Sequence, residues 1–313
     1  FIATGEGLVS ATRREAPFIP SENILAEPFK RNTAGCLAFA AAQILARYGD
    51  GPDVVMAALA ADHPVSDPER YRRALDAALA IAEFTGDIVT LGIDPIRPET
   101  GYGYIEAKQT ALSIPGVSKE FSVFPVERFH EKPDQRTAET YLESGRFFWN
   151  SGMFFWLISA FMRELKSTDP DMARAVDEIA GALSTGDQNA VRVIFRKLPN
   201  ISIDYALMEK TRRALVVKTD FGWDDVGTWD ALDRTMPRDI LGNVTVGGPA
   251  IIDSSDCIVY NEPGAEKCAV AVLGVEGLAV IVSRDGVLVM PKSRAQDVRK
   301  VVAELKRRNA KQV

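Results

Sequence analysis

The chain has 313 residues, more than one compact core usually holds, since chains tend to split beyond ~250–300 residues, and length alone sets a prior of about two domains. Hydrophobic residues make up 46% and charged residues 26%, which excludes a disordered or fibrous chain, and no apolar run reaches the ~18–20 residues of a membrane span. Lys and Arg total 37 against 43 Asp and Glu, a net charge of −6 with no basic run beyond Lys306-Arg307-Arg308, so nucleic acid is excluded as a partner class.

Phe1-Ile2-Ala3-Thr4-Gly5 has neither the basic start nor the long apolar core of a targeting peptide. It lacks an initiator Met and reads as though it began inside a strand, with a segment missing upstream. Asn32-Thr33 can cap a helix through Leu37, Ala41, Ile44 and Leu45 that Gly49 and Gly51 end. The continuously apolar Val54–Leu59 suits a strand buried on both faces and stops at Asp62-His63-Pro64. Pro68 to Phe84 is predicted helical, with Tyr71, Leu75, Ala78, Leu79 and Ala82 on one face and Gly86 closing it; Ile88–Ile93 is a second buried strand. Strands alternating with helices of this length argue for βαβ units and an α/β fold, a Rossmann-like mixed, mostly parallel sheet flanked by helices.

Tyr102 to Lys132 reads as strands and turns, and Phe147 to Leu157 is rich in aromatics. Helices are predicted over Ser159–Lys166, Asp171–Leu183, Gln188–Lys197 and Ile203–Lys210, with a strand at Leu215–Lys218. After Pro237 come short β runs at Val244–Val246, Ala250–Ile252, Cys257–Tyr260, Ala269–Leu273, Leu278–Val282 and Val287–Met290, then a helix from Ala295 to Arg308 with Val298, Val301, Val302 and Leu305 on one side. The expected organisation is a domain over 1–237 and a small β-rich domain with a terminal helix over 238–313, a compact β stack without a clear sequence repeat.

Cys36, Cys257 and Cys268 are odd in number and form no Cys-x-x-Cys, and His63 and His130 are the only histidines. A disulfide scaffold, a zinc cluster and a His-rich metal site are therefore excluded, and a reducing, cytoplasmic setting fits best. In an open α/β sheet, ligands bind beyond the carboxyl ends of strands. Asp62 stands there, as turn chemistry or as an oxygen ligand for Mg²⁺ held alongside phosphates. Trp223-Asp224-Asp225-Val226-Gly227-Thr228-Trp229 places two repelling carboxylates together, a pair that is either solvated or neutralised by a cation.

Glu99-Thr100-Gly101-Tyr102-Gly103-Tyr104-Ile105-Glu106 is no dinucleotide fingerprint, because no third Gly follows at the required offset. Its alternating glycines permit close approach of backbone to a ligand, or simply a turn beside a strand. Glu131-Lys132-Pro133-Asp134 joins a carboxylate able to grip sugar hydroxyls to a lysine able to hold phosphate, or is a surface ion pair. Trp149-Asn150-Ser151-Gly152 offers an amide and a hydroxyl in an apolar frame, as polyol recognition requires or as an aromatic core with a turn would show. Glu27 to Ala34 precedes a helix whose first N–H groups favour phosphate or carbonyl acceptors, though a simple cap explains Asn32-Thr33 equally well.

The order of these pieces is specific. Glu-Pro-x-x-Arg-Asn-Thr-Ala from Glu27, Ala-Asp-His around Asp62, Glu-Thr-Gly-Tyr-Gly-Tyr-Ile from Glu99, Glu-Lys-Pro-Asp from Glu131, Trp-Asn-Ser-Gly-Met-Phe from Trp149, Asp-Tyr-Ala-x-Met-Glu-Lys from Asp204 and Trp-x-Asp-x-Gly-x-Trp from Trp223 run in sequence. Together they resemble the bacterial mannose-1-phosphate guanylyltransferases (GDP-mannose pyrophosphorylases) of the sugar nucleotidyltransferase family, from about Glu22 to the last helix.

The resemblance implies transfer of GMP from GTP to mannose 1-phosphate with release of pyrophosphate. It places Mg²⁺ on Asp62 and Asp225, the sugar at Gly103, Tyr104, Glu131, Asn150 and the adjoining Ser151, the sugar phosphate on Lys132, and guanine near Glu27, Asn32 and Thr33. It also suggests a homodimer. No Ser-His-Asp set is present, and none is needed, because a phosphomonoester with a second pKa of about 6 is already a charged nucleophile.

The family's opening Gly-rich loop, with its strand and helix, has no counterpart here, a unit of roughly thirty residues. Poor GTP binding and almost no turnover are the expectation for such a stretch. Ala60 and Gly35 stand where the family usually has Pro, and no cupin-like isomerase domain follows, so a single activity is expected. The competing readings are a nucleotidyltransferase for another base or sugar and, from a different class, a non-catalytic regulatory homologue that binds sugar nucleotide.

Overall fold

A computed structural model of the chain describes residues 1–49, 53–263 and 268–312. The helix stop expected at Gly51 lies outside the described residues. Contacts divide the chain into two compact units, Phe1–Ala60 with Asp67–Phe221, and Ala61–Ser66 with Gly222–Val313.

In chain order the first unit contains β1 (Ile2–Gly5), α1 (Val9–Glu15), β2 (Ile24–Glu27), α2 (Asn32–Tyr48), β3 (Val55–Ala58), α3 (Pro68–Thr85), β4 (Ile88–Ile93), β5 (Gly103–Ala107), β6 (Val123–Glu131) and α4 (Gln135–Ser144). There follow β7 (Phe147–Leu157), α5 (Ile158–Thr168), α6 (Pro170–Ser184), α7 (Gln188–Lys197), a π-helical turn at Asp204–Met208, and β8 (Ala214–Thr219). Local chemistry sets the helix ends: the side chains of Asp67, Asp134, Asp169 and Asp187 each accept a backbone N–H from the first turn of α3, α4, α6 and α7. Gly86 and Gly145 close α3 and α4 in the left-handed conformation.

The central sheet has the order β3-β7-β4-β8-β6-β5, with β5 also paired to the start of β7. It is mixed and flanked by helices, as expected. Four of its six strands, β3, β4, β8 and β5, run one way, while β7 and β6 run against them. The two reversed strands are interleaved among the others, so β4–β8 is the parallel ladder of this sheet and its other pairings are antiparallel, fewer parallel contacts than a mostly parallel sheet implies. All six residues of β4 are buried. β3 lies at the sheet edge with Met56 as its buried residue, so its apolar run does not mark a strand covered on both sides.

The core joins Phe148, Phe154, Trp156 and Val216 of the sheet to Phe39, Phe161, Met172 and Phe195 of α2, α5, α6 and α7. α3 turns a slightly different face inward than its periodicity suggested: Ala74, Ala77, Ala78, Ile81 and Ala82 are buried, while Tyr71, Leu75 and Leu79 are half-buried. Small side chains there let the helix backbone approach β4 and β7 closely. The helix expected over Ile203–Lys210 is instead the π-helical turn, with Ala206, Leu207 and Met208 buried in the core.

The second unit holds α8 (Leu232–Thr235), β9 (Val244–Val246), β10 (Ala250–Ile252), β11 (Ile258–Asn261), β12 (Ala271–Leu273), β13 (Leu278–Val282), β14 (Val287–Pro291) and α9 (Val298–Arg307). β9, β11 and β13 stack in parallel with β14 antiparallel beyond them, and β10 pairs in parallel with β12, so the chain coils into a β-helix-like stack. Gly247 shows why its corners need glycine: at φ +74° it lies against the Asn261 carbonyl, where a Cβ would collide. Trp229, Leu232 and Met236 pack on the core formed by Val244, Ile258, Ala279, Ile281 and Met290. Lys292 ties α8 to the stack through Asp233 (2.6 Å) and Asp256 (2.5 Å). The terminal helix begins as a 3₁₀ segment over Lys292–Asp297 and continues as α9.

Candidate functional site

In the first unit, three segments far apart in sequence converge over Gly103. A Cβ built on Gly103 would lie 2.7 Å from Glu131 Oε2, 3.4 Å from Asn150 Cβ and 3.6 Å from Asn150 Nδ2. Gly103 has no left-handed backbone to accommodate, so glycine is needed here for space. β5 and β6 are registered with Gly103 opposite Glu131, which sets the carboxylate beside the missing side chain. Asn150 comes from the middle of β7 with its amide held at both ends. Its Oδ1 accepts the Gly152 N–H (3.1 Å) and its Nδ2 donates to Asp204 Oδ1 (2.8 Å). Lys132, exposed and at φ +48°, holds Nζ 3.4 Å from Glu131 Oε1.

Burial raises the Glu131 carboxyl above the usual range, the Asp204 charge adds to this, and Lys132 pulls the other way. Burial likewise raises Asp204, against the hydrogen bond from Asn150, and raises Glu209, which also faces the Asp204 charge. A carboxyl whose folded-state pKa lies above its unfolded value binds more protons folded than unfolded. Its contribution to stability therefore falls as pH rises through that window. Glu131→Gln is accordingly expected to melt at a higher temperature than wild type at pH 7, with the difference shrinking as pH falls and gone below about pH 4, where the glutamate is protonated in both states. Thermal melts across a pH series check this.

Tyr104 and Ser151 are sequestered. Tyr104 is 0% exposed and its hydroxyl accepts the Glu99 N–H at 2.9 Å. Ser151 is 1% exposed and its Oγ donates to the Leu91 carbonyl at 2.7 Å. Both brace the site from inside. Glu99 Oε1 in turn accepts the Gly101 N–H, and Arg97 lies 4.7 Å over the Trp149 ring, so the segment between β4 and β5 has a defined shape.

At the start of α2, Asn32 sits at φ +57° and accepts the Thr33 N–H in its own side chain. Thr33 is exposed, and its Oγ1 accepts the Ile203 N–H (2.8 Å), tying the helix start to the turn that carries Asp204. Glu27 ends β2 and is hydrogen-bonded to the Cys36 thiol, whose pKa is pushed up chiefly by burial.

In the second unit, the segment 61–66 and the tryptophan loop are tied together. Val65 bridges Trp223, and Trp223 Nε1–H donates to His63 Nδ1 at 3.0 Å. An indole nitrogen only donates, so His63 Nδ1 is the acceptor and neutral His63 carries its proton on Nε2, which lies 3.8 Å from Asp62 Oδ1. The Asp62 side chain is 88% exposed. The Asp224–Asp225 pair divides its roles: Asp224 is 7% exposed and is met by Arg234 at 2.7 Å, so a cation of the protein neutralises it. Asp225 is half-buried and accepts the Gly227 N–H at 2.8 Å. Among the described residues no group of three or more His, Cys, Asp or Glu side chains is placed to hold a metal. Asp62 and Asp225 stand on loops joined by the Val65–Trp223 bridge, and carboxylate oxygens are the donor type a hard cation takes.

Sequence reasoning assigned no role to Asp204, Glu209 or Arg97. Asp204 and Glu209 stood within a quoted motif, and only the fold shows that Asp204 reaches Asn150, 54 residues away in sequence. No helix of the described residues is long and apolar enough to cross a membrane.

Residues 5–240 match the nucleotidyl transferase family, and residues 249–305 match the mannose-phosphate isomerase/GMP-like β-helix domain. A mannose-1-phosphate guanylyltransferase of Klebsiella pneumoniae is 40% identical over 288 residues, covering 91% of this chain and 58% of that protein. The alginate biosynthesis protein AlgA of Pseudomonas aeruginosa is 40% identical over 296 residues, covering 93% and 58%. The chain thus spans 58% of the length of these relatives. A crystal structure described as mannose-1-phosphate geranyltransferase from Thermus thermophilus superposes with a TM-score of 0.80 at 35% identity, covering 97% of this chain and 83% of that one. With the family match running through both units' site segments, the chain belongs to the nucleotidyl transferase family.

Proposed function

We propose that this chain transfers GMP from GTP to mannose 1-phosphate, giving GDP-mannose and pyrophosphate. The observation that carries the reading is the cradle over Gly103, where a carboxylate oxygen and an amide nitrogen line a space that any side chain would fill. Relatives 40% identical are named mannose-1-phosphate guanylyltransferases. In this reading Glu131 accepts from a sugar hydroxyl, Asn150 donates to another, and Lys132 meets the sugar phosphate as a point charge. Tyr104 and Ser151 support these groups from within, and Glu27, Asn32 and Thr33 border the guanine. The phosphate nucleophile is mostly charged at neutral pH, so the protein supplies in-line positioning and positive charge, with no general base. Asp62 and Asp225 would hold a divalent metal, Mg²⁺ in this proposal, which when bound offsets negative charge on the nucleotide phosphates. The setting is cytoplasmic, in keeping with Cys36, Cys257 and Cys268, which are unpaired.

The test is product formation with Mg²⁺ from GTP, UTP or dTTP, each with mannose or glucose 1-phosphate, resolved by chromatography. With a protein that carries the family's Gly-rich opening loop, GDP-mannose and pyrophosphate from GTP are expected, and a clear preference for a pyrimidine nucleotide overturns the guanylyl reading. Lys132→Ala is expected to raise KM for mannose 1-phosphate by about 10-fold, the scale of one charge-assisted hydrogen bond, while KM for GTP moves little. The reverse pattern in steady-state kinetics reassigns Lys132.

A further inference from the structure

We propose that Asp204 is a positioning residue that decides which end of the Asn150 amide is offered to the sugar, so that this subsite requires a hydrogen-bond acceptor on its ligand. The ligand half of the proposal rests on the function proposed above. The two ends of an asparagine amide are nearly equal in size, and only their partners determine which way it points. Here both partners agree. The Gly152 N–H can only donate, so it takes Oδ1, and ionised Asp204 can only accept, so it takes Nδ2. Reversing the amide would set oxygen against carboxylate and N–H against N–H.

Nδ2 has a second hydrogen to offer the cradle: the nitrogen lies 3.6 Å, and Glu131 Oε2 2.7 Å, from the point a Gly103 Cβ would occupy. One fixed donor and one fixed acceptor fit two neighbouring hydroxyls, the first accepting from Asn150 and the second donating to Glu131. Asp204 is well supported for this task. Its turn is anchored by buried Ala206, Leu207 and Met208, closed by the Glu209 N–H on the Asp204 carbonyl, and tied through Ile203 to Thr33.

A residue acting through Asn150 has a signature that a general structural role lacks. Asp204→Ala is expected to weaken mannose 1-phosphate binding by roughly 10-fold in titration calorimetry, the scale of a lost charged hydrogen bond. The same change in an Asn150→Ala background is expected to cost nothing further, because the group it positions is gone. Asp204→Asn, which keeps an acceptor oxygen, should restore binding to within about threefold, and GTP affinity should move by less than about twofold in all of them. Costs that add in the double variant overturn the proposal, as does Asp204→Ala binding like wild type.

A second measurement needs no ligand. In ¹⁵N spectra the Asn150 side-chain amide protons should be protected from exchange in wild type and lose that protection in Asp204→Ala. Equal exchange in the two overturns the proposal even if binding is unaltered. Failure of the intact protein to bind any hexose 1-phosphate overturns the functional reading, and the amide spectra still decide Asp204's hold on Asn150.

Discussion

Asp225→Asn, made in a protein that carries the family's Gly-rich opening loop, is expected to reduce Mg²⁺-dependent turnover by about 10³-fold, the scale of losing one preorganised electrostatic contact to the reacting phosphates, with the fold left intact. The substitution is close to isosteric, and an asparagine Oδ1 still accepts the Gly227 N–H that Asp225 accepts at 2.8 Å. What changes is charge: an amide is neutral and a poor ligand for a hard cation. The neighbouring Asp224 serves as a comparison: it is 7% exposed and engaged by Arg234 at 2.7 Å. Asp224→Asn removes a charge that Arg234 holds, while Asp225→Asn tests the proposed metal ligand. Initial rates across a Mg²⁺ titration, with a thermal melt of each variant, separate the two. Unchanged activity in Asp225→Asn would show that the metal is held elsewhere.

Gly103→Val is the second large expected effect, a loss of about 10²-fold in kcat/KM for mannose 1-phosphate with GTP affinity retained. The first atom of any side chain would stand 2.7 Å from Glu131 Oε2 and 3.4 Å from Asn150 Cβ. It must either push the carboxylate aside or occupy the space offered to the ligand. Overpacking of this kind costs typically ~1–3 kcal/mol, so the protein should still fold while the proposed sugar site is closed. Calorimetric titration with each substrate separately reads the split. Equal weakening of both would mean a general distortion of β5 and not a filled cradle.

Much of the fold was legible from pattern. A continuous apolar run marked β4, helical periodicity marked α2, α3, α6 and α7, and the short runs after Pro237 marked the strands β9 to β14 among the described residues, while β7 was noted for its aromatics and not read as a strand. Periodicity reports that a segment is buried on one face or two, but not which neighbour buries it. That is why β3, as apolar as β4, proved to be an edge strand paired with β7. The same limit hid the interleaving of β7 and β6 among strands of opposite direction. α4 was not anticipated, because Glu131–Asp134 was read for ligand contacts or an ion pair, whereas Asp134 caps that helix.

The sequence by itself determined the ingredients of this protein: the family motifs in their order, two histidines and three scattered cysteines, and the carboxylates, amide and lysine that those motifs carry. Only the tertiary structure decided how they are used. It split Asp224 from Asp225 by burying one beside Arg234, withdrew Tyr104 and Ser151 into the interior, and brought Asp204 to Asn150 across 54 residues. The reason is physical: composition and spacing fix which chemical groups exist and which face of an element they occupy, whereas solvent access and hydrogen-bond partnership come from long-range packing, which no local pattern encodes.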